Sequence, residues 1–116
     1  MKREFIHAQH FDKCWKALGL TDDNLRELED VVLEQPDIGD IIQGTGGLRK
    51  MRFATDDRGK SGSLRVLYVD FEAYETASFL FAYPKSATST ITDKQKQAFK
   101  RLISEILDEM KKQKGV

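Results

Sequence analysis

The sequence has one cysteine, Cys14, in 116 residues. One thiol excludes an internal disulfide framework and any cysteine-based zinc cluster, and a reducing, cytoplasmic setting fits. Also missing is any run of roughly 18 to 20 apolar residues, the length a membrane span requires. Residues 1–11 carry basic groups with no apolar core after them, so they do not read as a secretory leader. There is no internal repeat, heptad array or low-complexity stretch. Net charge is absent as well: 19 Lys and Arg balance 19 Asp and Glu. The simple inference from a basic protein to nucleic acid is therefore closed, but local separation of charge is not.

What is present suits one small folded domain over residues 1–116. Hydrophobic residues make up 40% and charged residues 33%, enough for one modest core and too little for a large deep cavity. Glu4-Phe5-Ile6 opens a short strand. Phe11, Trp15 and Leu18 recur at helical spacing, and Gly19 stops that helix. Thr21 caps a second helix with the apolar stripe Leu25, Leu28, Val32 and Leu33, and Pro36 ends it. Ile38–Ile42 reads as a connector. Gly44-Thr45-Gly46-Gly47 reads as a turn; a phosphate cradle would need a helix after it, and a strand follows instead.

Three strands are expected at Leu48–Ala54, Leu64–Phe71 and Ala77–Tyr83, the second rich in β-branched and aromatic residues. Short turns between consecutive strands imply an antiparallel meander. Thr92 and Gln95 form a capping box for a last helix, with Phe99, Leu102, Ile103, Ile106, Leu107 and Met110 on one stripe. The expected fold class is α+β: an antiparallel sheet with an N-terminal helical hairpin and a C-terminal helix.

Charge is unevenly spread along this chain. Leu20–Ile42 holds eight acids against Arg26 alone, whereas Gly44–Val66 holds six bases against Asp56 and Asp57. A concentrated basic patch is the electrostatic footprint of a phosphate-bearing ligand. The plainer alternative is that exposed strands carry Lys and Arg on their water side. Strand alternation sharpens the choice, because Lys50 and Arg52 share a face and Arg65 falls on an apolar parity where a cation needs a partner or a ligand. Tyr83 and Lys85 stand at the end of the last strand, placed to line the same rim. The other chemically interesting residues read quietly. His7 and His10 lack further metal ligands nearby and suit capping or surface roles. Cys14 and Trp15 belong to a buried helix face. No Ser-His-Asp arrangement or nucleophile elbow is present.

Three segments occur in order: Gly44-Thr45-Gly46-Gly47-Leu48-Arg49-Lys50-Met51-Arg52, then Gly59-Lys60-Ser61-Gly62-Ser63-Leu64-Arg65-Val66-Leu67-Tyr68, then Phe81-Ala82-Tyr83-Pro84-Lys85. Together with the flanking helices they resemble the RelE/HigB family of toxins from bacterial type II toxin–antitoxin modules, most closely its HigB branch. The resemblance covers nearly the whole chain. It implies a microbial-RNase-like α+β fold and a ribosome-dependent endoribonuclease that enters the ribosomal A site and cuts mRNA. It also implies a cognate helix-turn-helix antitoxin that neutralises the toxin, no cofactor and no membrane partner. Residue by residue, Lys50, Arg52 and Arg65 match basic positions that stabilise charge on substrate and transition state. Tyr83 matches a tyrosine that stacks on a base or transfers a proton, and Lys85 a lysine that binds phosphate or acts as an acid. Arg49, Arg58 and Lys60 match RNA-backbone contacts.

The chemistry is self-consistent. Cleavage needs no metal if the ribose 2′-hydroxyl attacks the adjacent phosphate, and preorganised cations then supply the largest stabilising contribution. Two departures stand out. Pro84 lies between Tyr83 and Lys85, and no histidine falls in the matched segments. The general base is then a lysine, a tyrosine or an acid such as Asp56 or Asp57. A ParE-like or degenerate toxin of the same fold, binding a partner without cutting RNA, is the competing reading, and a plain RNA-binding domain is a third. The complete set Lys50, Arg52, Arg65, Tyr83 and Lys85 separates the nuclease from the ParE-like reading, and the neutral net charge weighs against a plain RNA-binding domain.

Overall fold

The computed structural model describes residues 2–55, 63–87 and 91–113. The elements run β1 (Glu4–His7), α1 (Gln9–Ala17), α2 (Asp22–Glu34), β2 (Asp40–Ile41), β3 (Leu48–Phe53), β4 (Leu64–Phe71), β5 (Thr76–Pro84) and α3 (Asp93–Gln113). The strands form one five-stranded sheet in the order β1-β5-β4-β3-β2. The expected meander is β3, β4 and β5, each pair antiparallel, and β4 has the expected bounds.

The sheet differs from a purely antiparallel one at β1, which joins β5 in parallel. A parallel neighbour requires a long crossover, and here everything from α1 to β4 intervenes. The meander leaves one edge of β5 open, and Phe5 of β1 closes it by stacking on Phe79 at 5.8 Å between ring centroids. A second difference is that the connector contributes β2, where Asp40 pairs with Lys50 and Ile41 with Arg49.

Two cores lie on the two faces of the sheet. On one, Phe11 and Trp15 of α1 and Leu28 and Val32 of α2 pack on Met51, Phe53, Val66, Tyr68 and Phe79. On the other, Ile103 and Met110 of α3 pack with Leu48, Leu67, Val69, Leu80 and Tyr83. A register shift between Leu67 and Tyr68 on β4 inserts an extra residue opposite, so Leu80 and Phe81 both reach the α3 face.

The helix ends follow the sequence signals. Thr21 and Asn24 exchange side-chain and backbone hydrogen bonds of 3.0 and 3.1 Å, and Gly19 takes φ 76° past α1. Trp15 Nε1 donates to the Thr21 carbonyl at 3.0 Å, tying α1 to the start of α2. The Gly44–Gly47 segment is the turn between β2 and β3. Gly44, Gly46 and Gly47 all have positive φ, which side-chain-bearing residues adopt only with strain. Buried Thr45 donates to the Ile42 carbonyl at 2.6 Å and accepts from Leu48 N–H at 3.0 Å.

Tyr68 fixes the approach of α2 to the sheet. Its fully buried hydroxyl donates to the Pro36 carbonyl at 2.7 Å and accepts from Gly39 N–H at 3.0 Å. A Cβ at Gly39 would lie 2.9 Å from the Tyr68 ring, so glycine is required by the close approach. Replacing Tyr68 by Phe strands a buried N–H and a buried C=O. Tyr68→Phe is therefore expected to lower stability by about 1–3 kcal/mol, read as a drop in the urea midpoint at unchanged slope.

Candidate active site

Strand register assembles the predicted cations. Arg52 of β3 stands opposite Arg65 of β4, and Arg65 stands opposite Tyr83 of β5. Residues directly opposite share a face, so the three side chains form a row across adjacent strands, on the α3 side of the sheet. Lys50, two residues before Arg52, shares that face and lies opposite Asp40 of β2. Cross-strand partners sit with Cβ atoms about 4.5–5.5 Å apart. Two arginines held this close repel one another, and an anion between them relieves the repulsion.

Lys50, Arg52 and Arg65 line a groove of about 460 Å³ together with Ile38, Asp40 and Met51. The groove falls within the size range of small-ligand sites. On β4 only Arg65 and Asp70 are less than fully buried. Asp70 is satisfied, accepting from Arg3 Nε at 2.8 Å and Nη2 at 3.2 Å. Arg65 is not: its Nη1 is buried with no hydrogen-bond partner, and so is the hydroxyl of Tyr83 beside it. Two buried donors in one cross-strand row mark where this face can accept a polar or anionic group.

Tyr83 stands between two cavities. It is 8% exposed and lines a larger, mostly apolar cavity of about 810 Å³ with Leu80, Phe81, Phe99 and Leu102. Burial holds its phenol above the ordinary value, and the positive charge of Arg65 partly opposes that rise. The hydroxyl therefore keeps its proton through neutral and mildly alkaline pH. Lys85 follows just past β5, exposed, with its backbone N–H on the Ser63 carbonyl at 3.1 Å. That contact holds the open end of the β4–β5 pair.

The remaining predicted residues divide. Arg49 falls on the opposite face, where its guanidinium donates to the Gly39 carbonyl at 2.7 Å and the Asp37 carbonyl at 3.4 Å. It braces the connector and does not join the row. Arg58 and Lys60 lie outside the described residues, as do the candidate bases Asp56 and Asp57. His7 Nε2 lies 3.2 Å from Glu29, and His10 stacks on Phe81 at 5.2 Å. Asp40 also lines the groove, brought there by the two-residue β2 ladder, which is too short to leave a pattern in the sequence.

The charge separation is spatial as well as sequential. Acid-rich α2 packs on the face away from the groove, and the Lys50, Arg52 and Arg65 cluster occupies the other. Among the described residues no helix is long and apolar enough to cross a membrane.

A mixed sheet with two helices on one face, one on the other and a row of cations beside it defines a small α+β protein of the RelE structural type. The fold is similar to that of the E. coli toxin RelE, solved in the free state as a double arginine-to-alanine mutant. The TM-score is 0.54 at 17% identity, covering 76% of this chain and 88% of that one. The family model described as the RelE toxin of the RelE/RelB toxin–antitoxin system matches residues 3–114. The chain belongs to the RelE toxin family.

The two buried tyrosines give opposite expectations on hydroxyl removal. Tyr68 is hydrogen-bonded and Tyr83 is not, so Tyr83→Phe is expected to hold or raise stability. Both phenols are raised by burial. The stability they contribute is present below the unfolded value near pH 10 and is lost as pH climbs through their folded values. Urea midpoints from pH 8 to 11 are expected to fall above pH 10 in the wild type, and less steeply in Tyr83→Phe.

Proposed function

We propose that this chain is an mRNA interferase: a toxin that cuts mRNA in the ribosomal A site and is neutralised by a cognate helix-turn-helix antitoxin. The observation that carries this reading is the row Arg52–Arg65–Tyr83, in which Arg65 Nη1 and the Tyr83 hydroxyl lie buried without partners. Family membership supports the toxin, and the row supplies what phosphodiester cleavage demands. The 2′-hydroxyl attacks the adjacent phosphate, and the bond to the 5′-oxygen of the next nucleotide breaks. Negative charge builds on the non-bridging oxygens at the transition state. Arg65 and Arg52 face it from two strands, each with a planar fork suited to two phosphate oxygens. Lys50 adds a third cation one pleat along. Lys85, two residues past Tyr83 and exposed, is a further cation for the substrate backbone.

Tyr83 suits proton donation. A phenol raised by burial is a poor base and a retained acid, so its role is to protonate the departing 5′-oxygen. The proton on the 2′-hydroxyl must go elsewhere, to a lysine of the groove or to an acid of the 56–57 pair. Metal ions have no assigned part in this scheme. The likeness to the HigB branch rests on the Gly44–Lys50 segment.

The test is mRNA cleavage with purified protein, with and without programmed ribosomes, across a salt series. Cutting is expected only on the ribosome and is expected to weaken steeply with salt, as phosphate contacts do. Arg65→Ala is expected to lower the rate by about 10² to 10³ while the urea midpoint changes little, because among the described residues Arg65 makes no ion pair and its Nη1 no hydrogen bond. Tyr83→Phe is expected to lower it by about 10². In cells, induction is expected to arrest growth, and co-expression of the neighbouring antitoxin to restore it. Normal growth at verified soluble expression would overturn the interferase reading.

A further inference from the structure

We infer that Asp40 and Ile38 form a nucleobase subsite at the outer end of the groove, selective for guanine. The inference rests on reading the groove as an RNA site, and it concerns a residue with no place in the cleavage scheme above.

The order β5-β4-β3-β2 sets a gradient across the open face. Tyr83 and Arg65 stand on β5 and β4, Arg52 and Lys50 on β3, and Asp40 on β2, opposite Lys50. Asp40 is exposed and lines the same groove as Lys50, Arg52 and Arg65. A phosphate is drawn to the two arginines and repelled from the carboxylate. Whatever reaches Asp40 must then be an uncharged part of the same ligand that offers hydrogen-bond donors. From β4 to β2 is two strand spacings, roughly 10 Å, a span of the order of a nucleotide from its phosphate to the outer edge of its base.

The wall beside Asp40 fits a base as well. Ile38 and Ile41 are the large exposed hydrophobic residues among those described, at 40% and 44% exposure. Ile41 points away, paired with Arg49, while Ile38 lines the groove next to Asp40. It offers a flat ring an apolar surface that serves no purpose in a site built for phosphate alone.

The chemistry of the carboxylate picks the base. An ionised carboxylate only accepts hydrogen bonds, at two oxygens side by side. Guanine is the base whose Watson–Crick edge presents two adjacent donors, N1–H and the N2 amino group. Adenine and cytosine each present one amino group flanked by a ring-nitrogen acceptor. Uracil presents one N–H between two carbonyl oxygens, which the carboxylate repels. The expected order is guanine first, adenine and cytosine next, uracil last.

The experiment is titration of the purified protein with guanosine, adenosine, cytidine and uridine 3′-monophosphates, followed by backbone amide shifts. Guanosine 3′-monophosphate is expected to bind about tenfold more tightly than the uridine compound. Asp40→Ala is expected to erase that difference. Asp40→Asn, which replaces one acceptor by a donor, is expected to reduce it. Arg65→Ala is expected to weaken all four alike. Asp40 sits exposed on a two-residue edge strand, and the amide dispersion of each variant reports its fold directly. Equal affinities in the wild type, a guanine preference that survives Asp40→Ala, or no binding of any of the four would each overturn the inference. Ribosomal mRNA cleavage separates this from the broader reading. Cutting without a nucleotide preference removes the guanine subsite alone. A preference erased by Asp40→Ala in a protein that cuts no mRNA upholds the subsite and removes the nuclease.

Discussion

Strand β4 is hydrogen-bonded along both edges and covered on both faces, and it carries two charges. Burying a charge is tolerable only when it is paired or neutralised. At one end of the strand the condition is met inside the protein, since Arg3 reaches from the N-terminal segment to clasp both oxygens of Asp70. At the other end it is not met, since Arg65 has a buried nitrogen with no partner. The rest of the architecture follows from that asymmetry. The Arg3 clasp leads straight into β1, which closes the edge of the sheet. The unpaired end opens onto the groove, and the neighbouring strands bring Arg52 and Tyr83 to it by register alone.

The position of α3 divides that face into two chemistries. Where Ile103 and Met110 lie over Leu48, Leu67 and Val69, the face is core. Toward Arg65 the same parity that is apolar at Leu67 and Val69 turns cationic. The opposite face has no such change, because α1 and α2 cover it and acid-rich α2 forms part of its outer surface. A neutral chain thus presents a basic front and an acidic back, and overall charge hides both.

Much of this was legible in the sequence, for physical reasons that differ by element. The α3 stripe and the Thr21 cap are local patterns read within one or two turns, and both stand as expected. Strand β4 is nearly all apolar and β-branched or aromatic, which leaves little choice of conformation. Alternation alone placed Lys50 with Arg52 and set Arg65 on an apolar parity. The missing parts depend on contacts distant in sequence. No local signal tells β1 to run parallel to β5. Ladder register between strands put Arg65 between Arg52 and Tyr83, and alternation within one strand cannot show that. Arg49 illustrates the limit: parity separates it from Lys50, but only its bonds to the Gly39 and Asp37 carbonyls show that it holds the connector. Asp40 was hidden for the same reason, since a two-residue strand has too short a pattern to read.

The size of the chain restricts how such a site can work. A domain with one thin helix layer on each side of its sheet has no depth in which to enclose a substrate, and the groove is a surface feature edged by exposed Arg52 and Asp40. It can therefore supply charge and one buried proton donor, but it cannot by itself restrict how a flexible strand lies across it. Orientation is worth as much to a displacement at phosphorus as charge is. A site strong in cations and weak in enclosure is thus matched to a substrate already held in place by something else. That is the physical ground on which the proposed cleavage is expected to depend on a larger assembly, and it would hold for any shallow cationic site of this build, whatever family it belonged to.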